Sequence, residues 1–178
     1  TPTVAEVGRH DRAGALLLML LPTSHTLAPE AAERYKLEPY VVAADIYSEP
    51  PHVGRGGWSW YTGAAGWLYR AGVEYILGVR VRGDSVELAP CIPHEWPGYT
   101  VRYRRGGATY VIRVENPSRL SQGEVDVSVD GDVVRGNRFD VVDDGREHRV
   151  DVVLREPGAV NEDTALDRRE AQAAGGRR

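Results

Sequence analysis

The residues best suited to chemistry lie at the turn WYTG, residues 60–63, where the sequence predicts the start of a helix. A helix start leaves backbone N–H groups unpaired, and together with the Thr62 hydroxyl these groups can bind an anion. Thr62 can also serve as the helix N-cap, and the two roles are compatible. The residues therefore predict an anion site at Thr62 and Gly63 or, on the alternative interpretation, a buried helix that uses glycine for close packing.

Aromatic residues concentrate around this turn, at Trp58, Trp60, Tyr61 and Trp67. Their flat apolar rings can pack on sugar faces, although most aromatic side chains in a helix belong to a core. Glycines in the segment 54–57 let the backbone approach a ligand closely. This combination is typical of carbohydrate binding, and we expect one of the four rings to touch sugar.

Three residues with carboxylate side chains precede the glycine segment: Glu38, Asp45 and Glu49. They raise a second possibility, hydrolysis of a glycosidic bond. Inverting glycoside hydrolases use a general acid and a general base several ångströms apart. Two further residues, His52 and Arg55, flank the glycine segment and are weak candidates for anion binding. The residues alone do not exclude a hydrolase.

Metal and nucleotide sites are not indicated. His10, His94 and His148 stand apart, without a Cys or His partner at ligand spacing, so we expect no zinc site. The glycine segment lacks the Lys-Ser/Thr pair of a phosphate-binding P-loop.

The elements that position these residues fall into two parts that meet near Gly78. The first part predicts a helix over 11–21 ended by Pro22, a loop over 22–26, a short helix over 29–36 and a loop over 48–57. Segment 40–47 is ambiguous between strand and helix. The last helix presents one apolar face from Trp60 onward, formed by Trp60, Tyr61, Ala64, Trp67, Leu68, Ala71 and Tyr75.

After Gly78 the apolar residues alternate with polar ones in about seven short strands. Gly83-Asp84, Gly106-Gly107 and the segment 130–132 are predicted turns. The sequence therefore predicts an α+β chain: helices over 1–78, an antiparallel β-sandwich resembling a jelly roll over 79–156, and a disordered tail over 157–178.

The composition argues against nucleic acid and membranes as binding partners. The 178 residues carry a net charge of −4 and a pI near 5.7, which disfavours binding to nucleic acid. The single cysteine, Cys91, is predicted to be a small buried hydrophobe in a reducing compartment. The apolar run 13–21 is far shorter than the roughly 20 residues of a membrane span, so we expect a soluble segment without membrane contact. The chain starts at Thr1 without an initiator methionine, so we expect a segment of a longer protein.

Three stretches in register carry a family resemblance: LLPTSHT at 20–26, YKLEPYVVAADIYSEPPH at 35–52 and GRGGWSWYTGAAGWLYRAGVEYIL at 54–77, continuing to about residue 117. They resemble the C-terminal part of the inverting β-glucoside phosphorylases of glycoside hydrolase family 94. Within the family, the resemblance is strongest to the C-terminal domain of cyclic β-1,2-glucan synthases and to β-1,2-oligoglucan phosphorylases.

The resemblance implies a fold, a reaction and site residues. It implies that the helices are the last ones of an (α/α)6 barrel and that segment 40–47 is helical. It also implies reversible phosphorolysis of a β-glucan, with no cofactor and inorganic phosphate as co-substrate. His25, Thr62 and Gly63 match the family's phosphate-binding positions, although a lone loop histidine is more often simply hydrogen-bonded. Trp58, Trp60 and Tyr61 are the candidate sugar contacts.

One departure from the family qualifies the expected activity. The family's general acid is an Asp in a tryptophan-rich motif, and no such motif occurs in this sequence. We therefore expect that the general acid lies outside these residues and that the segment alone is inactive. We expect the parent chain to be cytoplasmic or associated with the inner membrane. Two alternatives remain: a non-catalytic carbohydrate-binding or structural β-sandwich module, and an inverting hydrolase.

Overall fold

A computed structural model describes residues 10–60 and 63–158. Its helices occupy the first part of the chain: α1 (His10–Leu20), a 3-10 helix (Pro22–His25), α2 (Pro29–Tyr35), and α3 (Ala64–Arg70), which continues as a π-helical segment (Ala71–Ile76). Pro22 and Pro29 each stand at the start of a helix, where the missing N–H has no intrahelical partner to lose. Lys36 ends α2 in the left-handed region at φ 57°.

Segment 40–47 is not a helix, so the expectation drawn from the family resemblance is wrong. It contains only β1 (Asp45–Ile46), which pairs antiparallel with β2 (Gly56–Gly57). A Cβ at Gly57 would stand 2.8 Å from the Asp45 carboxylate, so the absence of a side chain permits this close pairing. The β-branched residues and Pro39 favour an extended path over a helix here.

The helix expected from Trp60 onward begins at Ala64, and its apolar residues do not form one buried face. Ala71 is buried, whereas Trp67 is 66% exposed. The π-helical segment begins at Ala71 and its turn is wider than that of α3, so a single 3.6-residue period does not describe the whole predicted face.

Between Gly78 and Gly158 the structure describes eight strands, which form two sheets. In the three-stranded sheet, β3 (Val79–Arg82), β4 (Ser85–Leu88) and β9 (Arg138–Asp140) are joined in that order. The five-stranded sheet has the order β5-β6-β10-β7-β8, with β5 (Gly98–Arg105), β6 (Ala108–Glu115), β7 (Glu124–Val129), β8 (Asp132–Val134) and β10 (Glu147–Arg155). Strand β10 pairs parallel with β6, so the sheet is mixed and the prediction of an antiparallel arrangement is wrong at this pair.

The alternating apolar residues of the two sheets meet in one buried cluster. It includes Val86 and Phe139 from the smaller sheet and Tyr110, Ile112 and Val150 from the larger one. Alternate residues of a strand point to opposite faces, which explains why β6 alternates between buried and less buried positions along its length. The prediction of mixed helix and sheet is confirmed.

A second buried cluster joins α1 to the π-helical segment and to the loop after β4. Its members are Ala13, Leu17, Ile76, Cys91 and Ile92. Tyr99 of β5 packs against both clusters, and its hydroxyl donates a hydrogen bond to the Leu77 carbonyl. Burial raises the pKa of this hydroxyl well above its usual range. Tyr99 therefore links the helices to the larger sheet.

Cys91 lies in the second cluster and is 5% exposed. Burial raises the pKa of its thiol to about 11, so the thiol is protonated and unreactive at neutral pH. The prediction of a small buried hydrophobe is confirmed.

Among the described residues, none of the helices is long and apolar enough to cross a membrane. The predicted tail over 157–178 lies outside the described residues except for Pro157 and Gly158.

His148, buried in β10, lies between two carboxylates. Its Nδ1 is 2.7 Å from Asp130 Oδ2 and its Nε2 is 3.0 Å from Asp144 Oδ1, while its ring stacks on Tyr110 at 4.7 Å. Carboxylate oxygens only accept, so both ring nitrogens donate when the imidazole is protonated. The hydrogen bonds to Asp130 and then Asp144 raise the pKa of His148, and His148 in turn lowers the pKa of Asp130.

We expect this raised pKa to make folding stability depend on pH. The contribution of His148 is complete below its unfolded pKa of about 6.5 and is lost as the pH rises through the higher folded pKa. Urea midpoints measured from about pH 6 to pH 9 should therefore fall for the wild type. His148→Phe, which keeps the ring on Tyr110, should lack this alkaline loss, and equal pH profiles for the two proteins would contradict the assignment.

Candidate functional site

His25 is held in place by two contacts. Its Nε2 lies 2.8 Å from the Met19 carbonyl, to which it donates when it carries the proton. Its ring stacks on Tyr35 with centroids 4.8 Å apart and planes 15° apart. Within the described residues Nδ1 has no hydrogen-bond partner, so this nitrogen is the one available to a ligand.

Tyr35 joins His25 to the glycine segment. The side chain is 2% exposed, and a Cβ at Gly56 would stand 3.2 Å from its ring and 2.4 Å from Leu37 Cδ1. A side chain here would require Leu37 and the buried Tyr35 ring to move, so glycine favours this close approach of β2. His25, at the end of the 3-10 helix, and Gly56, which precedes Trp58 and Trp60, therefore pack on the same buried tyrosine.

Trp58 and Trp60 follow this packed glycine and present large exposed surfaces. Each side chain is 71% exposed, and each backbone has positive φ, 35° at Trp58 and 68° at Trp60. Positive φ is uncommon for a bulky residue and costs of order 1–3 kcal/mol. The Ala44 N–H donates to the Trp58 carbonyl at 2.9 Å and helps to hold this path.

Gly63 is the N-cap residue of α3, and its carbonyl accepts a hydrogen bond from the Trp67 N–H at 3.1 Å. Gly63 is exposed and, as a glycine, has no side chain with which to cap the helix. Tyr61 and Thr62 lie outside the described residues. Their roles in sugar and phosphate binding, like the phosphate site as a whole, stay predictions.

Two residues beside Trp60 were not predicted as sugar contacts. The Trp60 indole N–H donates to Glu38 Oε1 at 3.4 Å, and the Tyr40 ring meets Trp60 edge-on at 6.0 Å. In sequence Glu38 is 22 residues from Trp60, so no local spacing links them. The sequence singled out Glu38 only as a carboxylate for a hydrolase.

The remaining anion and hydrolase candidates lie in exposed positions. His52 packs against Tyr47 with ring centroids 6.1 Å apart, and its backbone N–H donates to the Glu49 carbonyl at 2.9 Å. Asp45 lies in β1 against Gly57, and Arg55 is exposed.

Asp11, His94 and Glu95 offer three ligand atoms within 4.8 Å of one another, the kind of group that can hold a metal. All three side chains are exposed, and His94 Nδ1 lies 3.0 Å from Asp11 Oδ2 and 3.4 Å from Glu95 Oε2. Asp11 also accepts hydrogen bonds from the Ser121 hydroxyl at 2.8 Å and the His94 N–H at 3.0 Å, which lower its pKa. These contacts tie α1 to the β part without requiring an ion.

Comparison with known proteins identifies similar sequences. Residues 2–78 match the family described as the Glycosyl hydrolase 94 superfamily, catalytic domain. The chain is 53% identical over 127 residues to cyclic beta-(1,2)-glucan synthase NdvB from Rhizobium meliloti, covering 71% of this chain and 4% of that protein.

Phosphorylases are also similar. N,N'-diacetylchitobiose phosphorylase from Vibrio proteolyticus is 34% identical over 151 residues, which cover 84% of this chain and 18% of the relative. Solabiose phosphorylase from Paenibacillus borealis is 32% identical over 147 residues, which cover 82% of this chain and 19% of that relative. The chain thus spans less than a fifth of the length of each of these relatives.

Proposed function

Because residues 2–78 of this chain belong to the catalytic domain of the Glycosyl hydrolase 94 superfamily, we propose that the chain is the C-terminal part of an inverting glycoside phosphorylase or glucan-processing glycosyltransferase. The substrate is a β-glucan, and the similarity to a cyclic β-(1,2)-glucan synthase favours the β-1,2 linkage. The helices are the last ones of an (α/α)6 barrel, and residues 79–156 form a jelly-roll-like β-sandwich. The parent chain is cytoplasmic or associated with the inner membrane.

The chain contributes the phosphate site through His25, Thr62 and Gly63. Because the Met19 carbonyl engages His25 Nε2, a protonated His25 directs its Nδ1–H to a phosphate oxygen. The Thr62 hydroxyl and the backbone N–H groups near Gly63 complete the set of donors. The single observation that carries this assignment is the buried Tyr35 ring, which packs against both the histidine and the glycine segment.

Such a site catalyses by holding the nucleophile. A phosphate oxygen fixed opposite the leaving group attacks the anomeric carbon as the glycosidic C–O bond breaks, and the configuration inverts to give α-glucose 1-phosphate. The proton for the leaving oxygen comes from a general acid elsewhere in the parent chain. No cofactor takes part in this reaction.

Product analysis on the full-length protein tests the proposal. With β-1,2-gluco-oligosaccharides, glucose 1-phosphate should appear only when inorganic phosphate is supplied. Free glucose released at the same rate without phosphate would instead establish a hydrolase. Oligosaccharide binding without any product would favour a carbohydrate-binding module.

A further inference from the structure

One carboxylate and two aromatic rings form a patch at the surface, just after the end of α2 in the chain. Trp60 is 71% exposed and Tyr40 is 70% exposed, and their rings meet at 6.0 Å with an interplanar angle of 64°. Glu38 is half-buried, lies two residues after Lys36 at the end of α2 and accepts a hydrogen bond from the Trp60 indole. These three residues, Glu38, Tyr40 and Trp60, are called the Glu38 patch.

Buried residues on either side hold the Glu38 patch in position. Tyr35 precedes it and is 2% exposed, and Val41 follows it and is 4% exposed. The Val41 N–H donates to the Glu38 carbonyl at 3.3 Å, which closes the turn around Pro39. Buried neighbours therefore anchor the turn that carries Glu38 and Tyr40, while the rings of Tyr40 and Trp60 remain exposed.

The hydrogen-bonding capacity of Glu38 is only partly used. The Trp60 indole N–H donates to Oε1 at 3.4 Å, whereas Oε2 has no hydrogen-bond partner among residues 10–60 and 63–158. An ionised carboxylate only accepts hydrogen bonds, so a ligand here must bring donors. A negative charge at this place also disfavours an anionic ligand such as phosphate.

We propose that the Glu38 patch is a sugar subsite, in which Glu38 accepts hydrogen bonds from glucan hydroxyl groups and Tyr40 and Trp60 pack against the apolar faces of the sugar rings. A neutral glucan chain supplies both the donors and the flat apolar faces that the patch requires. The inference rests on the proposed function for the identity of the sugar. It adds Glu38 and Tyr40 as substrate-binding residues and separates a glucan contact from the phosphate site at His25.

Calorimetric titration of the full-length protein with a β-1,2-gluco-oligosaccharide, without phosphate, tests the subsite apart from the reaction. Glu38→Gln should weaken oligosaccharide binding about tenfold, because it removes the charge from the accepting group. Tyr40→Leu should weaken it severalfold, and Tyr40→Trp should restore it. The dissociation constant for phosphate and the thermal midpoint should not change, which excludes a merely structural role.

Tyr69→Leu is the matched control, because Tyr69 is an equally exposed tyrosine, 71%, on α3 and outside the Glu38 patch. It should leave oligosaccharide affinity unchanged. Wild-type affinity in both Glu38→Gln and Tyr40→Leu, or an equal loss in Tyr69→Leu, would overturn the subsite.

The subsite and the proposed function can fail separately. Phosphate-dependent product formation together with unchanged oligosaccharide affinity in the Glu38 and Tyr40 variants would remove the subsite alone. Oligosaccharide affinity that depends on Glu38, in a protein that releases no glucose 1-phosphate, would support the subsite and contradict the phosphorylase.

Discussion

Gly78→Ala is expected to lower the free energy of unfolding by about 3 kcal/mol or more. Gly78 has φ +69°, and a Cβ there would stand 2.1 Å from the Ala89 carbonyl carbon and oxygen and 2.4 Å from the Pro90 nitrogen. These are backbone atoms, so no side-chain rotation can relieve the overlap. The chain itself must move apart, at the point where the π-helical segment passes into β3.

The overlap also threatens the hydrogen bonds around this junction. The Ala89 N–H donates to the Gly78 carbonyl at 2.8 Å, and the Cys91 N–H donates to the Ile76 carbonyl at 2.9 Å. Moving the two segments apart would break bonds between groups that lie beside the buried residues Ile76 and Cys91.

Urea-induced unfolding measures the effect, and Gly83→Ala is the matched control. Gly83 has a similar φ of +61°, but a Cβ there would meet nothing within 4 Å. The control should lose only about 1 kcal/mol, from backbone strain in the left-handed region. Equal losses for the two variants would show that the contact with Ala89 and Pro90 is unimportant.

The second large effect is expected at His25, in phosphorolysis by the full-length protein. His25→Ala should lower kcat/KM for phosphate about 10- to 100-fold, since a hydrogen bond to a charged group contributes about 1.5–3 kcal/mol. His25→Phe should show the same loss while keeping a ring against Tyr35, which separates phosphate binding from packing. Initial rates at varied phosphate concentration measure the effect.

His94→Ala controls for the loss of a histidine elsewhere in the chain, because His94 lies in the loop after β4 and contacts Asp11 of α1 and Glu95. It should leave kcat/KM for phosphate unchanged. A His25→Phe protein with the kinetics of the wild type would remove His25 from the phosphate site.

Local patterns in the sequence predicted most elements of secondary structure. Pro29 placed the start of α2, because a residue without an N–H is tolerated in the first turn, whereas the 3-10 helix Pro22–His25 lies where a loop was predicted. Alternating apolar residues located strands such as β6, and Gly106-Gly107 located the turn between β5 and β6. These features depend on neighbours in the chain, so the sequence displays them directly.

Long-range contacts decided what the local patterns could not. Parallel pairing of β10 with β6 depends on how two sheets share one core, and the alternation of each strand is the same for either direction. Part of segment 40–47 is a strand because Asp45 and Ile46 pair with the two glycines of β2, which are distant in sequence.

The sequence by itself determined the kinds of elements, the family and the residue types suited to binding phosphate and sugar. Only the tertiary structure brought His25 and the glycine segment onto Tyr35, and Glu38 to the indole of Trp60. The physical reason is that these contacts join residues far apart in the chain. Their partners are selected by packing, which leaves no period or spacing in the sequence to read.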